Sequence, residues 1–238
     1  AKIGEEPHAA LSPVPAFGQI VPPPLARAGI ATRPFNSPMA QPERGYALIT
    51  GASQGLGAAL ALELARNGFG VLLVARNLVG LNEVARQAAA FNKGRAQVFQ
   101  ADLFAPDAPA QVAAWALSLA VPLTCVVNNA GQGLWGLFGE LVLEDQQRMM
   151  RLNMDVPVDL THRLLPVLTD SRKAYILNIS SMTAYTAMAT FAVYAASKAF
   201  VLRWSRSLRL ELKGGPVSVT AVCPGSILTG FTQRARMH

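Results

Sequence analysis

Tyr194 and Lys198 stand four residues apart, and Ser180 and Ser181 close an apolar run that spans Tyr175 to Ile179. On a helix, positions i and i+4 share a face, so the Lys198 ammonium would lie beside the Tyr194 hydroxyl. A free phenol, with a pKa of about 10, is a poor acid or base at neutral pH. An adjacent cation holds it lower, toward the range where general acid–base catalysis is efficient. A hydroxyl such as that of Ser181 could then hold a carbonyl or alcohol for proton exchange with Tyr194. Alone the pair is weak, because an amphipathic tyrosine and a snorkelling lysine would look the same. The elements that position these groups have to decide.

From Tyr46 onward, short apolar runs alternate with helical stretches. Strands are expected at Tyr46–Thr50, Val71–Ala75, Ala96–Gln100, Leu123–Asn128, Ala174–Ser180 and Val217–Val222. Helices are expected near Leu56–Asn67, Leu78–Asn92, Ala108–Leu119, Glu144–Leu168 and Tyr194–Lys213, with Gly68 and Gly94 just past two of them, where a C-terminal glycine belongs. Regular β–α alternation predicts an α/β fold, a doubly wound parallel sheet with helices on both faces. Right-handed crossovers then place any ligand at the carboxyl ends of the strands.

Chemistry is concentrated at those strand ends. The run TGASQGLG, Thr50 to Gly57, follows the first strand and opens the first helix. Gly51, Gly55 and Gly57 permit a tight turn and close approach of a diphosphate. Ser53, Gln54 and Leu56 would line the same turn. The second strand ends Val74-Ala75-Arg76-Asn77, with an arginine where a carboxylate would hold a ribose 2′-hydroxyl. Arg76 could meet a 2′-phosphate with a charge-assisted contact or be an ordinary surface arginine; the first reading favours NADP(H) over NAD(H). After the third strand, Asp102, with Leu103 beside it, could reach an adenine amino group or cap the next helix. Asn128-Asn129-Ala130-Gly131 ends the fourth strand, where amides could tie strand ends together and small residues leave room for a cofactor. Pro224, Gly225, Ile227 and Thr229 follow the sixth and could line a nicotinamide. Gly133, Leu134, Trp135, Leu137 and Phe138 could line an apolar pocket or simply be core.

Taken together, Gly51-x-x-x-Gly55-x-Gly57, Asn128-Asn129-Ala130-Gly131, Ser181, Tyr194-x-x-x-Lys198 and Pro224-Gly225 stand in the order and spacing of the short-chain dehydrogenase/reductase family. The chain resembles that family, a Rossmann-fold group of NAD(P)-dependent oxidoreductases, from about Tyr46 to Thr229. The resemblance implies that Tyr194 exchanges the substrate proton and that Lys198 lowers its pKa and holds the nicotinamide ribose. By the same resemblance Ser181, rather than Ser180, orients the substrate oxygen, and Asn153 anchors a water in the proton relay. Asn129, Ala130, Gly131 and Ile227 would approach the cofactor. The implied reaction moves a hydride between NAD(P)(H) and a small carbonyl or alcohol substrate, for which Arg76 favours NADP(H) and the residues after the fourth strand an apolar body, in a homodimer or homotetramer paired through the helices at Glu144–Leu168 and Tyr194–Lys213. The competing reading is a catalytically silent NADP(H)-binding scaffold or sensor, although such a protein has no chemical need for Asn153, Ser181, Tyr194 and Lys198. The resemblance also implies a substrate lid and a final strand beyond Thr229. Only nine residues follow it, so both are expected to be missing from this chain or supplied from elsewhere.

Composition narrows the remaining classes. Of 238 residues, 51% are apolar and 15% charged, which suits a sheet buried on both faces. Residues 1–44 hold nine of the sixteen prolines without helical or strand periodicity and read as an extended or disordered arm; residues 45–238 read as one catalytic domain. The longest apolar stretch, Val112 to Val127, is broken by Ser118, Pro122 and Thr124, so no membrane span is expected. The net charge of +7 is scattered. Its densest group, Arg203, Arg206, Arg209 and Lys213, lies along one helix face without interleaved aromatics and reads as a solvated or interface face, not a nucleic-acid site. Cys125 and Cys223 form neither a disulfide framework nor a zinc spacing; no metal is expected, and the thiols suit a reducing, cytoplasmic setting.

Overall fold

The computed structural model describes residues 44–225. Six parallel strands, β1 (Tyr46–Thr50), β2 (Gly70–Ala75), β3 (Ala96–Gln100), β4 (Leu123–Asn128), β5 (Ala174–Ile179) and β6 (Val217–Val222), form one sheet in the order β3-β2-β1-β4-β5-β6. The order reverses between β1 and β4, which opens a crevice at their carboxyl ends. This is the doubly wound Rossmann arrangement expected, and the strand bounds differ from expectation by at most one residue.

The strands read as continuous apolar runs because both faces are covered. Ala47, Ile49, Val71, Leu73, Cys125 and Val127 point to one face, where they pack with Ala61 and Ala65 of α1 (Gly55–Arg66) and Leu81, Val84 and Ala88 of α2 (Leu78–Ala89). Leu48, Leu72, Val74, Val126, Ile176 and Val219 point to the other. They meet Val112 and Ala116 of α3 (Ala108–Ser118) and Leu160, Leu164 and Leu168 of α5 (Val156–Thr169), with Leu208 of α6 (Ala192–Glu211) packed alongside. Each fully buried leucine or isoleucine contributes about 1.5–3 kcal/mol. Cys125 lies within this core, and burial pushes its thiol up to about 12, so it stays protonated and inert. Cys223 is half-buried just past β6, and both cysteines are free.

One expected helix is divided. Glu144–Leu168 is replaced by α4 (Leu143–Met150), a π turn over Arg151–Asp155, and α5. The wide turn adds a residue to the helical circuit, and Asn153 sits at its centre. Gly68 and Gly94 adopt left-handed φ values of 84° and 78°, as helix-terminating glycines do. No helix among the described residues is long and apolar enough to cross a membrane.

Candidate active site

A cleft of about 920 Å³ lies along the carboxyl ends of the strands. At one end is the β1–α1 turn. Gly51 and Gly55 take left-handed φ values of 67° and 58°, and a Cβ on Gly57 would run into the Gly51 carbonyl oxygen and the Asn129 amide. Glycine is therefore required where the turn folds back on the end of β4. No side chain caps the N-terminus of α1, so its first N–H groups are left directed at the cleft. Ser53, Gln54, Gly55 and Leu56 line the same end.

Thr50 ties this turn to β4. Its buried hydroxyl accepts the N–H groups of Asn129 and Ala130, each at 3.0 Å, and donates to the Val127 carbonyl at 3.3 Å. The Asn129 side chain answers by donating to the Thr50 carbonyl at 2.9 Å and the Gly51 carbonyl at 3.3 Å. Asn128 does the strand-tying expected of it. Its amide donates to Asn178 on β5 at 2.8 Å and to Thr161 on α5 at 2.9 Å, while Asn178 donates to Ser205 on α6 at 2.9 Å. A chain of buried polar groups thus runs from α5 through two strands to α6.

Arg76 and Asp102 stand together at the ends of β2 and β3. The Arg76 Nε lies 4.0 Å from Asp102 Oδ1, and its guanidinium lies 5.3 Å from the centre of the Phe104 ring. Asp102 does not cap α3, which begins six residues later; its Oδ1 accepts the Phe104 N–H at 3.2 Å and so closes a local turn. Leu103 lies beside it in the cleft wall.

At the opposite end, β5 and α6 deliver the groups able to handle protons. Ser181, Tyr194 and Lys198 all line the cleft, with Ala130, Gly131, Pro224 and Gly225 between them and the glycine turn. Ser181 Oγ accepts the Thr183 N–H at 3.1 Å, which leaves its own proton for the cleft or for the Tyr194 hydroxyl, its hydrogen-bonding partner. Lys198 Nζ donates to the Ile179 carbonyl at 2.9 Å and lies 5.9 Å from the centre of the Tyr194 ring. Burial lowers the Lys198 ammonium to about 8, with Cys223 acting weakly in the opposite sense. Burial also pushes the Tyr194 phenol up, opposed by the bond to Ser181. The expected direction for the phenol is thereby reversed, because desolvation outweighs a cation that is turned toward a backbone carbonyl.

Asn153 does not line the cleft. It is buried directly behind it, where Oδ1 accepts the Gln132 N–H at 3.0 Å and Nδ2 donates to the Gln132 carbonyl at 2.9 Å and to Ser197 Oγ at 3.0 Å. Both amide protons are spent on the protein. A Cβ added to Gly131 would come within 3.2 Å of Asn153 Oδ1 and 3.3 Å of Lys198 Nζ, so a larger residue there would press on both side chains.

Leu134 is core, packed with Met149, Phe191 and Tyr194. Trp135, Leu137 and Phe138 are exposed, and none of the three lines the cleft. Its apolar wall comes from Met182, Tyr185, Met188 and Phe191, which the sequence reading passed over because they follow a strand end without periodicity. Thr50, Gln132 and Ser197 were also missed. Only Thr50, a hydroxyl closing an otherwise apolar strand, carried a local signal. Ile227 and Thr229 lie outside the described residues. Among the described residues no cluster of three His, Cys, Asp or Glu side chains could hold a metal.

A cleft at the switch point of a doubly wound sheet, with a glycine turn at one end and a serine, tyrosine and lysine at the other, defines a class of nucleotide-dependent oxidoreductases. The family model for short chain dehydrogenases matches residues 45–238, and the chain belongs to that family. Ketoacyl reductase HetN of Nostoc sp. is 32% identical over 191 residues, which make up 80% of this chain and 66% of that protein, just under two thirds of its length. An uncharacterized oxidoreductase of Staphylococcus epidermidis is 31% identical over 195 residues, 82% of this chain and 83% of that one. Among solved structures, a short-chain dehydrogenase from Sphingobium yanoikuyae in complex with NADPH superposes with a TM-score of 0.76 at 33% identity, covering 81% of this chain and 75% of its own.

Proposed function

We propose that this chain is an oxidoreductase that moves a hydride between NADP(H) and the carbonyl or alcohol of a small apolar substrate. The observation that carries the reading is the convergence of Ser181, Tyr194 and Lys198 on one end of a cleft whose other end is the glycine turn and Arg76. The residues present fit a dinucleotide. Side chains are excluded at Gly51 and Gly57, the N-terminus of α1 is uncapped, and about 920 Å³ is ample for a cofactor with a small substrate. That the Sphingobium yanoikuyae structure holds NADPH supports the choice of cofactor. When bound, the nicotinamide supplies or accepts the hydride.

The chain's own residues hold and move the proton. Ser181, with one lone pair taken by the Thr183 amide, presents its hydroxyl to the substrate oxygen. Tyr194 holds its proton at neutral pH, as any phenol does, and can deliver it to the oxygen as a carbonyl is reduced; burial, which raises its pKa, makes it a weaker acid and so works against that delivery. Lys198, charged below about pH 8, offsets the phenolate that is left. Arg76, with its side chain largely exposed beside Asp102, is the group available for a 2′-phosphate. Met182, Tyr185, Met188 and Phe191 favour an apolar substrate body. The cytoplasm suits the free thiols, and pairing through α4–α5 and α6 suits a homodimer or homotetramer.

The test is NADPH oxidation over a panel of apolar ketones and aldehydes with the wild-type chain and with Tyr194→Phe. Turnover is expected to fall at least about a hundredfold in the variant while NADPH affinity stays within about twofold. Undiminished turnover would remove the mechanism, and binding without turnover in the wild type would favour a silent scaffold.

A further inference from the structure

We propose that two serines outside the reacting set, Ser180 and Ser197, are positioning residues that brace the reactive face of α6. This rests on the proton-transfer reading above. Tyr194 and Lys198 both ride on α6, so its axial placement decides where phenol and ammonium sit against Ser181. The start of that helix has little local support: Phe191 at its N-terminus makes no side-chain cap, and the segment before it is exposed. Two buried ties replace the cap.

The first runs through Ser197, which is 1% exposed. Its Oγ donates to the Tyr194 carbonyl at 2.7 Å and accepts from Asn153 Nδ2 at 3.0 Å. A serine that bonds back to its own helix is common and by itself means little. The second partner is what matters, because Asn153 belongs to the π turn and is itself fixed to both backbone groups of Gln132. The proton inventory allows one direction only. The single Ser197 proton goes to Tyr194, so Asn153 must donate to Ser197, and the second Asn153 amide proton is already committed to Gln132. The Tyr194 backbone is thereby tied across the domain to the exit of β4.

The second tie is reciprocal. Ser180 Oγ, 2% exposed, donates to the Lys198 carbonyl at 2.7 Å, while Lys198 Nζ donates to the Ile179 carbonyl at 2.9 Å. The end of β5 and the second turn of α6 are clasped from both sides. The neighbouring hydroxyl, Ser181, instead lines the cleft, where it meets the Tyr194 hydroxyl. Serine is thus required twice in succession, once facing inward and once facing the substrate.

The experiment compares Ser197→Ala, Ser180→Ala and wild type by hydrogen-exchange mass spectrometry and steady-state kinetics. Exchange is expected to rise about tenfold in peptides covering residues 151–156 and 194–201 of Ser197→Ala, and around residues 198–202 of Ser180→Ala, with α1 and α2 unchanged. In turnover, kcat is expected to fall about tenfold while KM and NADPH affinity stay within about twofold, and Ser197→Ala added to Asn153→Ala should cost little more than Asn153→Ala alone. Unchanged local exchange in both variants would overturn the brace whether or not any carbonyl is turned over. Faster local exchange with unchanged kcat in an active enzyme would overturn the positioning role alone. An inactive wild type would instead count against the functional reading, with the brace still judged by exchange.

Discussion

Lys198 carries its ammonium inside the protein, 5% exposed, with the Ile179 carbonyl as its hydrogen-bond acceptor. Its pKa of about 8 lies below the ordinary 10.5, so between those values the unfolded chain holds a proton that the folded one has released. Stability therefore rises with pH across that window, by roughly 2–3 kcal/mol, and below it the full cost of burying the charge is present. Urea midpoints measured from about pH 7 to about pH 10 should show this slope in the wild type and a flatter one in Lys198→Met. If the proposed reaction needs the charged lysine, kcat for carbonyl reduction should decline above about pH 8. At the other end of the cleft, Arg76→Asp puts a carboxylate in place of the cation beside Asp102. NADPH affinity should drop at least about tenfold and NADH affinity should gain, as read by fluorescence titration. Equal changes for both cofactors would contradict a 2′-phosphate role for Arg76.

At the scale of elements, the β1 end, the π turn and the first turns of α6 are the parts on which the cleft depends. Thr50 joins β1 to β4 by accepting two backbone N–H groups. Thr50→Val keeps the shape and removes the acceptor, leaving the Ala130 N–H unpaired at the base of the cleft, while the Asn129 N–H keeps the Val127 carbonyl at 3.1 Å. A loss of about 1–3 kcal/mol is expected in urea unfolding, together with weaker dinucleotide binding as the β4 exit loosens. A stability change below about 0.5 kcal/mol would mean that water replaces the hydroxyl. The π turn has a different function. By widening the helix between α4 and α5 it brings Asn153 into register with the Gln132 backbone and with Ser197, where a continuous α-helix would rotate it by most of a residue step.

At the scale of the molecule, all six strands point the same way, so every loop that carries chemistry lies at one end and the core separates it from the other. On the outer side of α6, Phe200 is 40% exposed and stacks on Trp204 at 6.5 Å. If α6 and α4–α5 pair with a second copy, light scattering should give two or four times the chain mass, and a monomer would refute the pairing. Much of this architecture was legible in the residues themselves. A parallel sheet buried on both faces writes its strands as unbroken apolar runs, and glycines at strand ends mark turns that no side chain could enter. The pairing of Tyr194 with Lys198 could be read because the i and i+4 spacing is a local property of a helix, whereas Ser181 was distinguished from Ser180 only by the family resemblance. Other features required the tertiary structure. Asn153 pairs with Gln132 across 21 residues, Ser180 with Lys198 across 18, and the burial that raises Tyr194 and lowers Lys198 is set by everything packed around them. Which further side chains reach the cleft was not legible, since Asn153 lies behind it and Met182, Tyr185, Met188 and Phe191 form its apolar wall. The sequence by itself determined the strands, the glycine turn and the helix face that Tyr194 and Lys198 share, because these follow from local periodicity. Only the tertiary structure decided the partners and protonation of those side chains, because hydrogen bonding between distant elements and loss of solvent are properties of the packed chain.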